Sequence, residues 1–272
     1  MSIEGRPDES QSIATILAAL DAGVRLIDTA DAYCLGPLET GHGERLVAQA
    51  LRLWNGNPEE VLVCTKGGQY RPGDGSWQVD ARPERLRLAC EMSLHALGVE
   101  AIGLYYLHRP DPNVPYAESV GALKELLDEG KIRMAGVSNT DVIQIETARE
   151  VLGTDALACV QNEFSPGLRA SEVELRHCMA HGIAFVPWSP FGRIRKDSDL
   201  ASAYPAFGFV ADAHDVSVHQ IVLAWILSKG DQIIPIPGAS RPETILDSVK
   251  AADLELTATQ IATLDSSNTT AH

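Results

Sequence analysis

Short apolar runs alternate along the chain with longer stretches of helical period. The runs are VRLID (24–28), VLVCT (61–65), GLYYLH (103–108), IRMAGVS (132–138), ALACVQN (156–162), IAFVPW (183–188) and QIIPI (232–236). They are rich in Val, Ile or aromatic residues and mostly apolar on both faces, the pattern of parallel strands covered on both sides. Between them, SQSIATILAALDAG (10–23) places Ile13, Ile16, Leu17 and Leu20 on one helical face and closes on Gly23. PERLRLACEMSLHALG (83–98) opens on Pro83 and closes on Gly98, the expected start and stop residues of a helix. Further helices are predicted at 44–54, 117–129, 141–152, 171–181, 217–228 and 242–251.

Regular strand–helix alternation, with no linker, repeat or composition shift, predicts a single α/β domain spanning residues 1–272. A closed (β/α)8 TIM barrel suits a chain of this length better than an open doubly wound sheet. No GxGxxG follows any strand, which weakens the dinucleotide-fold alternative. The pattern holds eight helices and only seven strands, because the chain begins at a helix. The first strand is therefore expected to be missing, or truncated to Met1-Ser2-Ile3. A barrel left open there would expose edge hydrogen bonds. The stretch FGRIRKDSDLASAYPAFGFVADAHDV (191–216) reads as the longest irregular segment, a functional or mobile loop.

Composition narrows the partners. The chain has 272 residues, 45% apolar and 22% charged, and a formal net charge of −15. That charge argues against nucleic acid or an anionic membrane as a partner, while helix N-termini and a few cations suffice for a phosphate-bearing cofactor. No apolar run approaches the roughly 20 residues of a spanning helix, and the polar, acidic start MSIEGRPDES is not a signal peptide. Five cysteines without a CxxC pair indicate reduced thiols and a cytoplasmic location, with Cys64 and Cys159 buried in strand runs. His42, His95, His177, His181 and His219 lack metal-ligand spacing with nearby Cys or acidic residues, so no metal is expected. No GxSxG elbow supports hydrolase chemistry.

The chemistry gathers at the carboxyl ends of the strands, where barrels of this kind build their sites. Strand 24–28 ends in Asp28, with Tyr33 in the loop beyond; Lys66 follows the second run, and His108 ends the third. A buried Asp needs a cation, and Lys66 supplies one. The same ammonium is expected to lower the pKa of the Tyr33 phenol, making it a general acid, with His108 placed to bond a substrate oxygen. Taken singly, Asp28 reads as a cap, Tyr33 as packing, Lys66 as a surface lysine and His108 as a structural histidine. Four suitable side chains at the ends of successive strands point to function.

The stretches GVRLIDTADAY, VCTKGG, LYYLHRPDP, GKIRMAGVSN, VQNEFSP, VPWSPFGR and IPIPGASRPETI, in that order, closely resemble those of the aldo-keto reductases. The resemblance runs from about residue 12 to the end. It implies a (β/α)8 fold and NADPH-dependent reduction of an aldehyde or ketone without a metal, with Asp28, Tyr33, Lys66 and His108 as catalytic tetrad. It implies further that Ser138, Asn139 and Gln161 hold the nicotinamide carboxamide and that Trp188 stacks on the nicotinamide ring. Ser189, Pro190, Phe191 and Gly192 resemble the loop over the pyrophosphate, and Gly238, Ala239, Ser240 and Arg241 the grip on the adenosine 2′-phosphate. A guanidinium suits a phosphate monoester, so Arg241 favours NADP(H) over NAD. The chain departs from the family where Tyr33 is followed by Cys34-Leu35-Gly36, and where Thr244 and Ser248 replace an Arg and an Asn. These departures and the missing strand motivate an alternative reading, an NADPH-binding accessory protein with little chemistry; the intact tetrad opposes it. The substrate is expected to be a small carbonyl compound, selected by residues 69–79 with Trp77, 111–115 and 191–216.

Overall fold

The computed structural model describes residues 5–192 and 197–267, so the expected remnant of a first strand at residues 1–3 lies outside the described residues. From the amino terminus the chain runs α1 (Glu9–Asp21), β1 (Leu26–Asp28), α2 (His42–Leu53), β2 (Leu62–Gly67), a hairpin of β3 (Gln69–Tyr70) and β4 (Gln78–Val79), and α3 (Pro83–Leu97). There follow β5 (Ile102–Leu107), α4 (Tyr116–Asp128), β6 (Ile132–Ser138), α5 (Val142–Leu152), β7 (Leu157–Gln161), α6 (Glu172–Ala180) and β8 (Ala184–Phe185). The remainder carries α7 (Asp197–Ala203), α8 (Pro205–His214), α9 (Val218–Leu227), α10 (Pro242–Val249) and α11 (Ala258–Ser266).

Local chemistry sets the helix ends. The Asp8 side chain caps α1 by accepting from the Gln11 amide at 2.8 Å, Asp141 and Gln144 form a reciprocal capping box on α5, and α3 opens on Pro83 and closes on left-handed Gly98 (φ 70°). The hairpin β3–β4 was not foreseen. Nor was α11, which begins with a second capping box, Thr257 with Gln260.

Strands β1-β2-β5-β6-β7-β8 form one parallel sheet in that order, curled as half a barrel. Phe185 extends the wall by a parallel bridge to Ile233, so the last predicted strand is reduced to isolated pairing. The reason is proline on both sides, and on the β8 side Pro187 has no N–H to return. Ile234 and Ile236 donate their amides toward the β8 side, to Phe185 and Pro187. Pro235 and Pro237, at the alternate positions, have no N–H to offer on the other side. β1 lies at the end of the strand order, paired only to β2.

Period-two alternation divides the packing into two layers. Tyr105, Leu107, Ala135, Val137 and Val160 pack outward against the helices. Leu26, Leu62, Cys64, Leu104, Tyr106, Met134, Cys159 and Val186 meet inside the curl. Gly136 belongs to the inner row, where an added Cβ would stand 2.6 Å from the Tyr106 ring.

Of residues 191–216, expected to be irregular, 193–196 lie outside the described residues, and α7 and α8 occupy most of 197–214. Leu200, Tyr204, Phe207 and Ala211 recur at helical spacing and are buried, a period obscured in the sequence by Pro205 and Gly208. Pro205 occupies the first turn of α8, where its missing N–H costs nothing. The anchor is Trp225 on α9. Its indole stacks on Phe164 with centroids 5.6 Å apart, meets the Phe207 ring edge-on at 5.4 Å and donates to Asp265 Oδ1 of α11 at 2.7 Å. Trp225→Ala removes all three contacts, and we expect it to destabilise the protein by about 3–5 kcal/mol, read as a fall in the urea midpoint. A loss below about 1 kcal/mol would show that these helices do not depend on the indole.

Candidate active site

The inner face of each strand begins apolar and ends polar. Leu26 is followed on that face by Asp28, Leu62 and Cys64 by Lys66, Leu104 and Tyr106 by His108, Met134 and Gly136 by Ser138, Cys159 by Gln161, and Val186 by Trp188. Parallel register stacks these ends side by side: Asp28 pairs with Cys64, Lys66 with Tyr106, and Ser138 with Gln161. One mouth therefore collects the polar groups.

Asp28, Tyr33, Lys66 and His108 come together there. Lys66 is completely buried. Its ammonium donates to Asp28 Oδ1 and to the Thr29 carbonyl at 2.7 Å, and lies 5.1 Å from the centroid of the Tyr33 ring. Gln161 Nε2 donates to the other carboxylate oxygen, Asp28 Oδ2, at 2.8 Å. Both oxygens of Asp28 are thus engaged. The Tyr33 and His108 rings meet edge-on at 5.9 Å.

Burial and charge oppose one another at each group. Burial works against the Lys66 charge, but the Asp28 carboxylate, the nearby phenol and the Asp28 hydrogen bond outweigh it, so its pKa rises. For Tyr33, burial raises the phenol pKa; Lys66 pulls it down, and the charge of Asp28 pushes it up again. The net shift is upward. This corrects the expected lowering: the ammonium faces a carboxylate as well as the phenol, and desolvation of the phenolate is the largest contribution. His108 is pushed well below the usual histidine range, first by burial and then by the charges of Lys66 and Arg109. Its imidazole is neutral at neutral pH, and its Nδ1 has no hydrogen-bond partner among the described residues.

The predicted cofactor residues occupy the same mouth and a shelf beyond it. Asn139, Gln161, Trp188, Ser189, Gly238 and Ala239 line a cavity of about 1300 Å³ together with Asp28, Tyr33 and His108. The cavity continues between β1 and Ile234–Pro237 toward α1. Asn139 and Ser189 are held at positive φ (59° and 49°), a strained conformation that clusters at functional sites. Ser138 donates to the Gln161 carbonyl at 2.7 Å, and Asn139 Nδ2 to the His108 carbonyl at 3.0 Å. The Trp188 indole N–H has no partner among the described residues. Pro190 is buried, Phe191 packs on His219 at 4.6 Å, and Gly192 turns back to the Ser189 carbonyl. Ser240 and Arg241 precede α10, with the Ser240 carbonyl held by Gln11 of α1 at 2.7 Å. In place of the family's Arg and Asn, Ser248 donates to the Thr244 carbonyl at 3.1 Å.

Sequence reasoning missed two features and left a third half-read. The Gln161 side chain grips Asp28, a contact across 133 residues that no local pattern signals. Trp77, singled out in loop 69–79 from the sequence, meets Tyr33 edge-on at 6.5 Å and carries the Arg71 guanidinium 4.7 Å from its ring centre, so one side chain both lines the mouth and contacts its own loop. Asp31 and Glu44 form a buried acidic pair behind the tetrad. Asp31 is raised well above the carboxylate range by burial and by the charge of Glu44, while Glu44 accepts from the Thr65 hydroxyl at 2.6 Å.

Comparison with known proteins agrees with the geometry. The model of the aldo/keto reductase family matches residues 1–269. An uncharacterized oxidoreductase of Schizosaccharomyces pombe is 34% identical over 260 residues, which span 95% of this chain and 79% of that protein. The glycerol dehydrogenase of Gluconobacter oxydans superposes with a TM-score of 0.80 at 29% identity, covering 97% of this chain and 86% of that one. An aldo/keto reductase from Klebsiella pneumoniae, crystallised with NADP and acetate, superposes with a TM-score of 0.77 at 28% identity, over 94% of this chain and 84% of that one. These solved structures place the curled sheet within the (β/α)8 barrel fold.

The depressed His108 pKa links stability to pH. The unfolded chain takes up a proton at His108 below about pH 6.5, and the folded chain does not. The unfolded state then binds more protons, so this contribution falls as pH drops, by up to about 1.4 kcal/mol per unit. His108→Asn removes it. We expect the urea midpoint of the variant, relative to wild type, to improve between pH 7.5 and pH 5.5. A difference independent of pH would show that folded His108 accepts its proton normally.

Proposed function

The chain belongs to the aldo/keto reductase family, and from that premise we propose that it reduces an aldehyde or ketone to the alcohol with NADPH, using Tyr33 as general acid. The observation that carries the proposal is the buried Lys66 ammonium, shared between the Asp28 carboxylate and the Tyr33 phenol. Burying such a pair adds little net stability compared with apolar packing, whereas a proton donor beside a fixed cation serves a reaction.

The cavity suits the cofactor in size and lining. It is lined by the Trp188 indole, by Gly238 and Ala239, and by the carboxamides of Asn139 and Gln161. Asn139, Gln161, Trp188 and Ser189 would hold the nicotinamide end, the Ser189–Gly192 turn the pyrophosphate, and Arg241, at the start of α10, the 2′-phosphate. NADPH would supply the hydride to the carbonyl carbon. Tyr33 remains protonated through neutral pH because its pKa is raised, and it gives the phenolic proton to the carbonyl oxygen as negative charge develops there. Lys66 stabilises the phenolate left behind, and Asp28, held by Gln161, keeps the ammonium in place. Neutral His108 bonds the same oxygen. The carbonyl gains one hydride at carbon and one proton at oxygen; solvent returns the proton to Tyr33.

Two variants test these roles. Tyr33→Phe is expected to lower kcat by about 10²–10⁴-fold with NADPH affinity, measured by fluorescence titration, unchanged. Wild-type turnover by the variant would remove Tyr33 from the reaction, and saturable NADPH binding without turnover by the wild type over a broad carbonyl panel would identify a binding protein on the same barrel. Arg241→Ala is expected to weaken NADPH about tenfold, the loss of one charge-assisted contact, and to leave NADH unaffected. Equal weakening of both would exclude a contact to the 2′-phosphate.

A further inference from the structure

On the outer helical layer, away from the mouth, we propose that Glu146, His177 and His181 form a site for one late first-row divalent cation, with Zn²⁺ the best match. His177 lies in the last turn of α6 and His181 is its C-cap. Four residues apart, they share one face of the helix, with ring centroids 4.4 Å apart. Glu146 of α5 faces them, its Oε1 2.6 Å from His177 Nε2. One ligand atom from each of the three residues lies within 4.8 Å of the others. Tetrahedral Zn²⁺, with bonds of about 2.0–2.1 Å, sets its ligand atoms about 3.3 Å apart, so small side-chain adjustments close the site.

The surroundings orient these ligands as metal ligands are oriented elsewhere. His181 Nδ1 sits 2.8 Å from the His177 carbonyl; only a protonated nitrogen can bond there, so Nδ1–H donates and a neutral ring leaves the lone pair on Nε2. Arg149 Nη1 reaches both oxygens of Glu146, at 2.7 and 2.8 Å, and can retain Oε2 while a cation takes Oε1. The Arg149 hydrogen bonds, and then the His177 contact, hold the Glu146 carboxyl below its ordinary range, so it presents an anion. Binding displaces the proton that now bridges Oε1 and Nε2. Two imidazoles and one carboxylate match zinc and its neighbours; calcium and magnesium prefer all-oxygen sites. Water completes the fourth position. The cation would join α5 to α6, two successive helices whose contact now includes the Glu146–His177 hydrogen bond.

Sequence spacing concealed the site, because Glu146 stands 31 residues from His177. The test is calorimetric titration of the chelator-treated full chain with Zn²⁺, paired with Co²⁺ titration followed by visible absorption. We expect one equivalent of Zn²⁺, a rise in Tm on binding, and a tetrahedral cobalt spectrum without thiolate charge-transfer bands. His181→Asn, on the exposed cap, and Glu146→Gln should each weaken binding about tenfold or more, with circular dichroism unchanged. Absence of binding, thiolate bands that assign the metal to cysteine, or undiminished affinity in folded His181→Asn would overturn the proposal. In the first case the cluster would be a hydrogen-bonded clasp between helices.

Discussion

Burial of the Lys66 ammonium constrains the whole interior. Removing such a charge from water costs several kcal/mol, so every group near it has to answer for it. Asp28 supplies the counter-charge, the Thr29 carbonyl takes a second hydrogen, and the rings of Tyr33 and Tyr106 present their faces at 5.1 and 5.6 Å. Gln161 then fixes the carboxylate from the far side of the mouth. This chain of contacts connects β1, at one end of the sheet, to β7 across the opening. A change in strand register would break it, because a shift of one residue turns each inner side chain outward.

That arrangement explains why the inner surface changes character along the strands. Leucine, methionine and cysteine fill the lower rows, where packing alone matters. The Tyr106 hydroxyl is there satisfied by the Cys159 thiol at 2.9 Å, and burial pushes that thiol up to about 12, so it acts as a packing group with a weak donor. Charged and carboxamide side chains, with His108, gather in the top row. The apolar rows below exclude water and strengthen the electrostatics above them, which is how a neutral His108 and a protonated Tyr33 coexist with a fixed cation. On the other side of the sheet the same strands carry mainly packing residues such as Tyr105, Leu107, Ala135, Val137 and Val160, which the helices cover.

The chemistry of the open side follows from backbone composition. Pro235 and Pro237 remove donors from the segment beyond β8, and β1 pairs only with β2. The cavity passes between these two edges. Backbone carbonyls and glycines, rather than a continuous hydrogen-bonded ladder, therefore border the space assigned to the cofactor. Near the same mouth, burial and the charge of Glu44 raise the Asp31 carboxyl well above its ordinary range.

The residues alone determined the alternation of strands and helices, the positions of the eight helices first predicted, and the strand-end places of Asp28, Lys66 and His108. These follow from periodicity and from capping and terminating residues such as Pro83 and Gly98. All of those signals lie within a few residues of one another. What depends on distant partners was hidden: α7 and α8 form because Phe207 finds Trp225, and Gln161 serves Asp28 because the sheet curls. Glu146 meets His177 only because α5 and α6 pack. The direction of the Tyr33 pKa was likewise a tertiary matter. Sequence shows that a cation is near the phenol, but the net shift depends on how completely folding removes water and on whether a carboxylate shares that cation.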